Sequence, residues 1–193
     1  MSWFDVLFGR TKLSRAKTDD MFALITARVD LESDLGWQPA GRAALCLKPV
    51  TTLDFRQAQE DVVALVRLTA ADSRSQVKFH EDEFRYQWLL LYDDDFEDLV
   101  GVVHIAGKEL QAKGYGQQLL AAVYTFTTGQ AAEKSSLAYL IYSYKRGRFY
   151  PFIPLPGKKR DTAAELRAAA LIEKYLPLDK DHTRWYPLWD CPV

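Results

Sequence analysis

Very little in this chain is suited to cross-linking, to metal binding or to spanning a membrane. Only two cysteines occur in 193 residues, Cys46 and Cys191. Cys46 lies inside the apolar run AALCLKPV and reads as a small core residue, while Cys191 stands near the C-terminus. Two such cysteines make neither a disulfide framework nor a zinc set, so a reducing cytoplasm is the expected compartment. The histidines, His80, His104 and His182, are scattered, and none has a partner at metal-ligand spacing. No run reaches the roughly 18 apolar residues of a membrane span. The start MSWFDVLFGR has no basic residues ahead of its short apolar stretch, so no secretory signal is expected. Neither sign of charge is in excess: 25 Lys+Arg against 26 Asp+Glu leave a net charge of -1. That balance does not recommend a nucleic-acid binder.

Enzyme signatures are missing as well. GYG at 114–116 follows a helical pattern instead of opening one and has neither phosphate-loop frame. There is no nucleophile elbow and no Cys–His pairing. The acidic run DDDFED gathers Asp93, Asp94, Asp95, Glu97 and Asp98. Such oxygens could hold a divalent cation, but the run sits where a strand gives way to a helix. Acids there cap the helix and suit its positive end, and the spacing is not that of an EF-hand. The chain reads as a non-enzyme.

What is present is apolar bulk: 48% hydrophobic and 13% aromatic residues, enough to bury a sizeable core. TDDMFALITARVDLESDLGW predicts a helix capped by Thr18 or Asp19, with Phe22, Ile25 and Val29 on one face and Gly36 as its stop. RAALCLKPV predicts a short buried strand. TTLDFRQAQEDVVALVRL predicts a second helix, with Thr51 and Asp54 in capping-box spacing and Phe55, Val62 and Val66 on one stripe. QVKFHEDEFRYQWLLLYDDD alternates like a hairpin, with Phe84, Tyr86, Trp88, Leu90 and Tyr92 after an acidic turn. A helix from near Phe96 closes at Gly114. QQLLAAVYTFTT and LAYLIYSYK predict two central strands, and the prolines of RFYPFIPLP confine it to an edge or a loop. TAAELRAAALIEKY predicts a last helix with Thr162 and Glu165 as its capping box. The tail TRWYPLWDCPV is too aromatic to be idle and is expected to lie back on the domain.

This order predicts an α+β, two-layer domain over 18–193, its mostly antiparallel sheet covered by helices. Residues 1–17 form a separate amphipathic, basic segment. Trp3, Phe4, Leu7 and Phe8 crowd its start, and Arg10, Lys12, Arg15 and Lys17 follow without an acid. Two readings stand for it: an apolar wedge with cations for anionic lipid, or a short helix packed on the domain.

The local departure from neutrality is the stretch YSYKRGRFYPFIP with its continuation LPGKKR. Lys145, Arg146, Arg148, Lys158, Lys159 and Arg160 put six cations within 145–160, with no acid among them. Gly147 can supply a left-handed turn residue, so KRGR is first a hairpin turn. Tyr144, Phe149, Tyr150 and Phe152 interleave with the cations. Such rings could stack bases, or they could be core residues of an edge strand. The cations themselves suit an acidic protein partner or a lipid headgroup.

WFDVLFGR, YSYKRGRFYPFIP, RDTAAEL and RWYPLW, in that order along nearly the whole chain, resemble the PspA-associated protein B family. The resemblance implies a small cytoplasmic partner in a phage-shock-type envelope stress system, whose central protein is a PspA-like coiled-coil membrane-remodelling protein. It implies no enzyme and carries over no catalytic residues. The element order also resembles secretion-chaperone-like domains, a likeness of topology alone. The expected function is a non-enzymatic adaptor or regulator of a PspA-type membrane stress response. The expected partner surface is Lys145, Arg146, Arg148, Lys158, Lys159 and Arg160, with Tyr150 and Trp185 beside it. Trp3, Phe4, Leu7 and Phe8 are the expected membrane contact, at the inner face. No specific nucleic acid, small-molecule substrate, metal or cofactor is expected. The alternative is a nucleic-acid-binding module built on the basic aromatic hairpin at 144–160.

Overall fold

A computed structural model describes residues 21–50, 52–69, 75–128 and 136–193. The segment 1–17, with Trp3, Phe4, Leu7 and Phe8, lies outside the described residues, as do Thr18, Asp19 and Thr51. The elements run α1 (Ala23–Leu35), β1 (Gln38–Leu47), α2 (Leu53–Thr69), β2 (Gln76–Glu81), β3 (Gln87–Tyr92) and α3 (Phe96–Leu110). A π-turn (Gln111–Tyr115) leads to β4 (Leu119–Thr128), β5 (Ser136–Ser143) and β6 (Arg148–Phe152). The small strands β7 (Pro154–Leu155) and β8 (Lys159–Arg160) precede α4 (Thr162–Ile172).

Six strands form one antiparallel sheet in the order β2-β3-β1-β4-β5-β6. The expected α+β layering is what the chain adopts. The helices pack side by side in the order α2-α3-α1-α4, with α3 against β1 and β3, and α4 against β6. The reason lies in the strands. Phe96 of α3 meets Tyr124 and Phe126, which share one face of β4 by period-two alternation. β6, which carries Pro151, is an edge strand of the sheet, as that proline requires.

The second face of the sheet is apolar too. Val123 and Thr125 alternate with the helix-facing rings, and register aligns Thr125 with Tyr139, Tyr139 with Phe152, and Ile141 with Tyr150. All of these are buried. The cover is the C-terminal tail: Trp185 stacks on Tyr150 at 6.4 Å between ring centroids, and Trp189 meets Phe152 edge-on at 5.0 Å. Tyr139 Oη donates to the Val193 carbonyl at 3.2 Å. The tail therefore lies back on the domain.

Three local expectations are corrected. On α1 the buried stripe is Leu24, Ala27 and Leu31, while Phe22 and Val29 are 43% and 62% exposed. Both stripes have helical spacing, and only the neighbouring helices choose between them. At the start of α2, Thr52 Oγ1 accepts from the Phe55 amide. Phe84 and Tyr86 belong to a turn and not to β3, because Asp82 Oδ1 accepts from both their amides at 2.9 Å. The cap of α4 is Asp161, which accepts from the Ala164 amide at 2.9 Å. That leaves Glu165 for another role.

One helix–sheet contact is unusually close. A Cβ added to Gly107 of α3 would stand 2.5 Å from Tyr144 Oη. That hydroxyl is buried and has no hydrogen-bond partner among the described residues. Gly107→Ala is expected to destabilise the fold by about 1–3 kcal/mol through overpacking. Tyr144→Phe removes an unsatisfied buried group and is expected to be neutral or stabilising. The double variant should recover most of the loss, a coupling readable from urea midpoints.

Candidate partner-binding site

The basic stretch forms two turns at the two ends of β6. Five residues at about 3.3 Å each separate those ends. In the first turn Gly147 takes φ 63° and its amide donates to the Ser143 carbonyl at 2.8 Å. This is the hairpin turn that KRGR predicts. Beyond it the outer edge of β6 is not open. The Phe149 amide donates to the Pro177 carbonyl, and the Asp179 amide donates to the Phe149 carbonyl, each at 2.8 Å. That pairing carries the buried Asp179 next to the turn. Arg146 Nε stands 3.6 Å from Asp179 Oδ2, and its guanidinium lies over the Tyr186 ring at 5.6 Å.

In the second turn, between β7 and β8, Gly157 and Lys158 both take positive φ, 78° and 53°. Lys158 pairs with Asp190 at 2.8 Å, but both are well exposed, so the pair adds little stability. Arg160 differs. Its Nη2 lies 2.8 Å from Glu165 Oε2, its Nε faces both carboxylate oxygens, and its Nη1 donates to the Trp185 carbonyl at 2.7 Å. Glu165 Oε1 also accepts from the Ile153 amide at 2.9 Å. Glu165 is 1% exposed. A buried carboxylate is tolerable here because a planar guanidinium and a backbone amide satisfy it.

The eight residues expected on the partner surface thus divide. Arg146, Tyr150, Arg160 and Trp185 come together, but facing inward around the tail. Tyr150 and Trp185 are buried, and their polar atoms serve the fold: Tyr150 Oη donates to the Tyr186 carbonyl at 3.2 Å, and Trp185 Nε1 donates to the Asp179 carbonyl at 2.8 Å. Burial pushes the Tyr150 hydroxyl well above its ordinary pKa, against the opposing pull of Arg146 and Arg160. Tyr139 is likewise pushed up to about 12, mainly by burial. Lys145, Arg148, Lys158 and Lys159 remain exposed, the first two at one end of β6 and the last two in the turn beyond the other end. Sequence reasoning missed Asp179, Glu165 and Tyr186, which hold the arginines. Glu165 was concealed by its capping-box position, and nothing local marks Asp179.

Base stacking on the hairpin is not available. Tyr144, Phe149, Tyr150 and Phe152 are all buried, so the rings that the nucleic-acid alternative needs belong to the core. The acidic run works at the start of α3. Asp95 Oδ1 accepts from the amides of Glu97 and Asp98, Asp93 Oδ1 accepts from the Asp95 amide, and Ser75 donates to Asp93 Oδ2. Among the described residues no group of three or more His, Cys, Asp or Glu is placed to hold a metal ion. His104 packs on Phe22 and His182 on Trp185, and His80 sits on the exposed side of the edge strand β2. Among the described residues, no helix is long and apolar enough to cross a membrane.

These features define a two-layer α+β protein whose sheet is covered on one face by helices and on the other by its own C-terminal segment. The basic residues near β6 are split between fastening that segment and facing solvent. The chain belongs to the PspA associated protein B family, whose model matches residues 1–193. Membership ties its role to PspA systems. No curated protein and no solved structure matches it, so the topological likeness to secretion-chaperone-like domains stands without a structural counterpart.

Proposed function

We propose that the chain is a non-enzymatic adaptor or regulator of a PspA-type membrane stress response, acting in the cytoplasm by protein contact. The observation that carries this reading is the exposure of Lys145 and Arg148 on a neutral, family-assigned protein. A turn fixed by Gly147 presents both cations at the end of an edge strand, a geometry suited to acidic side chains on a coiled coil. Cations at the rim of a contact steer association and set specificity. The apolar and basic residues of 1–17 supply a second contact on this reading, with anionic lipid at the inner membrane face.

The two arginines of the turn separate binding from folding. Arg148→Glu, with Lys145→Glu, is expected to weaken capture of a PspA-like coiled-coil protein at least tenfold while Tm stays within about 1 °C. Arg146→Glu places a second carboxylate beside the buried Asp179 and is expected to lower stability by about 2–4 kcal/mol. Pull-down and thermal melts of both variants check this. Undiminished capture by the Arg148 and Lys145 double variant would remove the turn as the contact.

A further inference from the structure

α1 keeps a second apolar stripe exposed. We propose that this stripe, Phe22, Ile25 and Val29, is the docking surface for Trp3, Phe4, Leu7 and Phe8 of the chain's own first segment, and that an anionic membrane competes for the same four residues.

Leu24, Ala27 and Leu31 form the side of α1 that is buried. Phe22, at the start of the helix, Ile25 and Val29 recur at i, i+3 and i+7 and so share another side. There Phe22 and Val29 are exposed and Ile25 is half-buried. A helix with apolar residues on more than one side is ordinarily covered on more than one side. α1 is also an inner member of the helix layer, with α3 on one flank and α4 on the other. Both flanks add apolar surface. Phe22 packs on His104 of α3 at 4.7 Å between ring centroids. Tyr175, just past α4, is exposed, and its hydroxyl donates to Asp30, the residue after Val29. Apolar side chains gathered in this way mark a contact surface.

Connectivity and charge identify the occupant. Residues 9–21, thirteen of them, join Phe8 to Phe22. That length reaches up to about 40 Å, against about 10 Å for the stripe. A short tether gives effective concentrations on the order of millimolar, so a weak apolar contact suffices. Trp3, Phe4, Leu7 and Phe8 bring apolar bulk, and Arg10, Lys12, Arg15 and Lys17 follow without an acid. α1 meets these cations with Asp30, Glu32 and Asp34. Its one cation, Arg28, is already paired with Glu32 at 3.5 Å. The four apolar residues cannot lie on α1 and in a bilayer at once. Docking therefore withholds them until anionic lipid takes them, a shift between two states. The competition rests on the lipid contact of the proposed function; the docking does not.

The test uses the full chain, trypsin, and vesicles of phosphatidylglycerol with phosphatidylcholine. Cleavage after Arg10, Lys12, Arg15 and Lys17 is followed by mass spectrometry. Val29→Gln removes an apolar anchor without adding charge. It is expected to speed that cleavage about tenfold while Tm stays within about 2 °C. Val29→Leu should keep the protection, and Leu68→Gln, at a similarly exposed position on α2, should leave it unchanged. Val29→Gln should also bind the vesicles about threefold more tightly, because the docked state no longer withholds the segment. Equal cleavage of the parent and Val29→Gln would overturn the docking. Protection that fades on dilution would overturn it too and assign the stripe to a second copy. Faster cleavage of Val29→Gln, with no vesicle binding by either protein, would uphold the docking and overturn the membrane competition, and with it the lipid contact.

Discussion

Replacing Glu165 with alanine is expected to cost about 3–5 kcal/mol of folding stability, among the largest effects of any polar substitution in this protein. Glu165 is 1% exposed, and among the described residues it is the side chain that satisfies both the Arg160 guanidinium and the Ile153 amide. Its removal leaves a partly buried cation facing an apolar gap and a buried backbone donor without its acceptor. Arg160 would then lose the geometry that points Nη1 at the Trp185 carbonyl, so the tail would loosen with it. Glu165→Gln keeps an acceptor for Ile153 but not the charge, and is expected to cost about half as much. Urea unfolding of the two variants gives both numbers. A loss below about 1 kcal/mol for Glu165→Ala would mean that Arg160 finds another partner and that this network does not hold the tail.

The second large effect is at Trp185. Its ring is buried on Tyr150, and its indole N–H donates to the Asp179 carbonyl. Trp185→Ala is expected to cost about 3–5 kcal/mol through the cavity and the orphaned acceptor. The effect should spread, because Asp179 also accepts from the Asp181 amide and anchors Arg146. Tyr150, Tyr139 and Phe152 would gain solvent, and the variant should bind a hydrophobic dye that the parent excludes. An unchanged urea midpoint would show the tail to be a passenger on a face that is stable without it. Together the two variants ask whether the second face of the sheet depends on the last residues of the chain.

The fold class was legible because it rests on periodicity. Phe55, Val62 and Val66 recur at helical spacing and are buried as that spacing predicts. The runs that become β4 and β5 carry apolar residues on both faces, and both faces of those strands are covered. The basic hairpin was legible because Gly147 is one of few residues that suit a left-handed turn. The role of each cation was not. Arg146 and Arg148 are two residues apart and alike in chemistry, yet one meets Asp179 and the other faces solvent.

By itself, then, the sequence determined the helices, the strands, the proline-marked edge, the returning tail and the family to which the chain belongs. Those follow from short-range rules: spacing, caps, turn residues and apolar runs. The tertiary structure alone decided which helical stripe of α1 is buried, that Glu165 serves Arg160 instead of capping its own helix, and that the buried Asp179 meets Arg146 and not Arg148. Each of these is a contact between segments far apart in the chain. Residue type restricts the partners such a side chain accepts, but only the packed sheet decides which of them comes within reach.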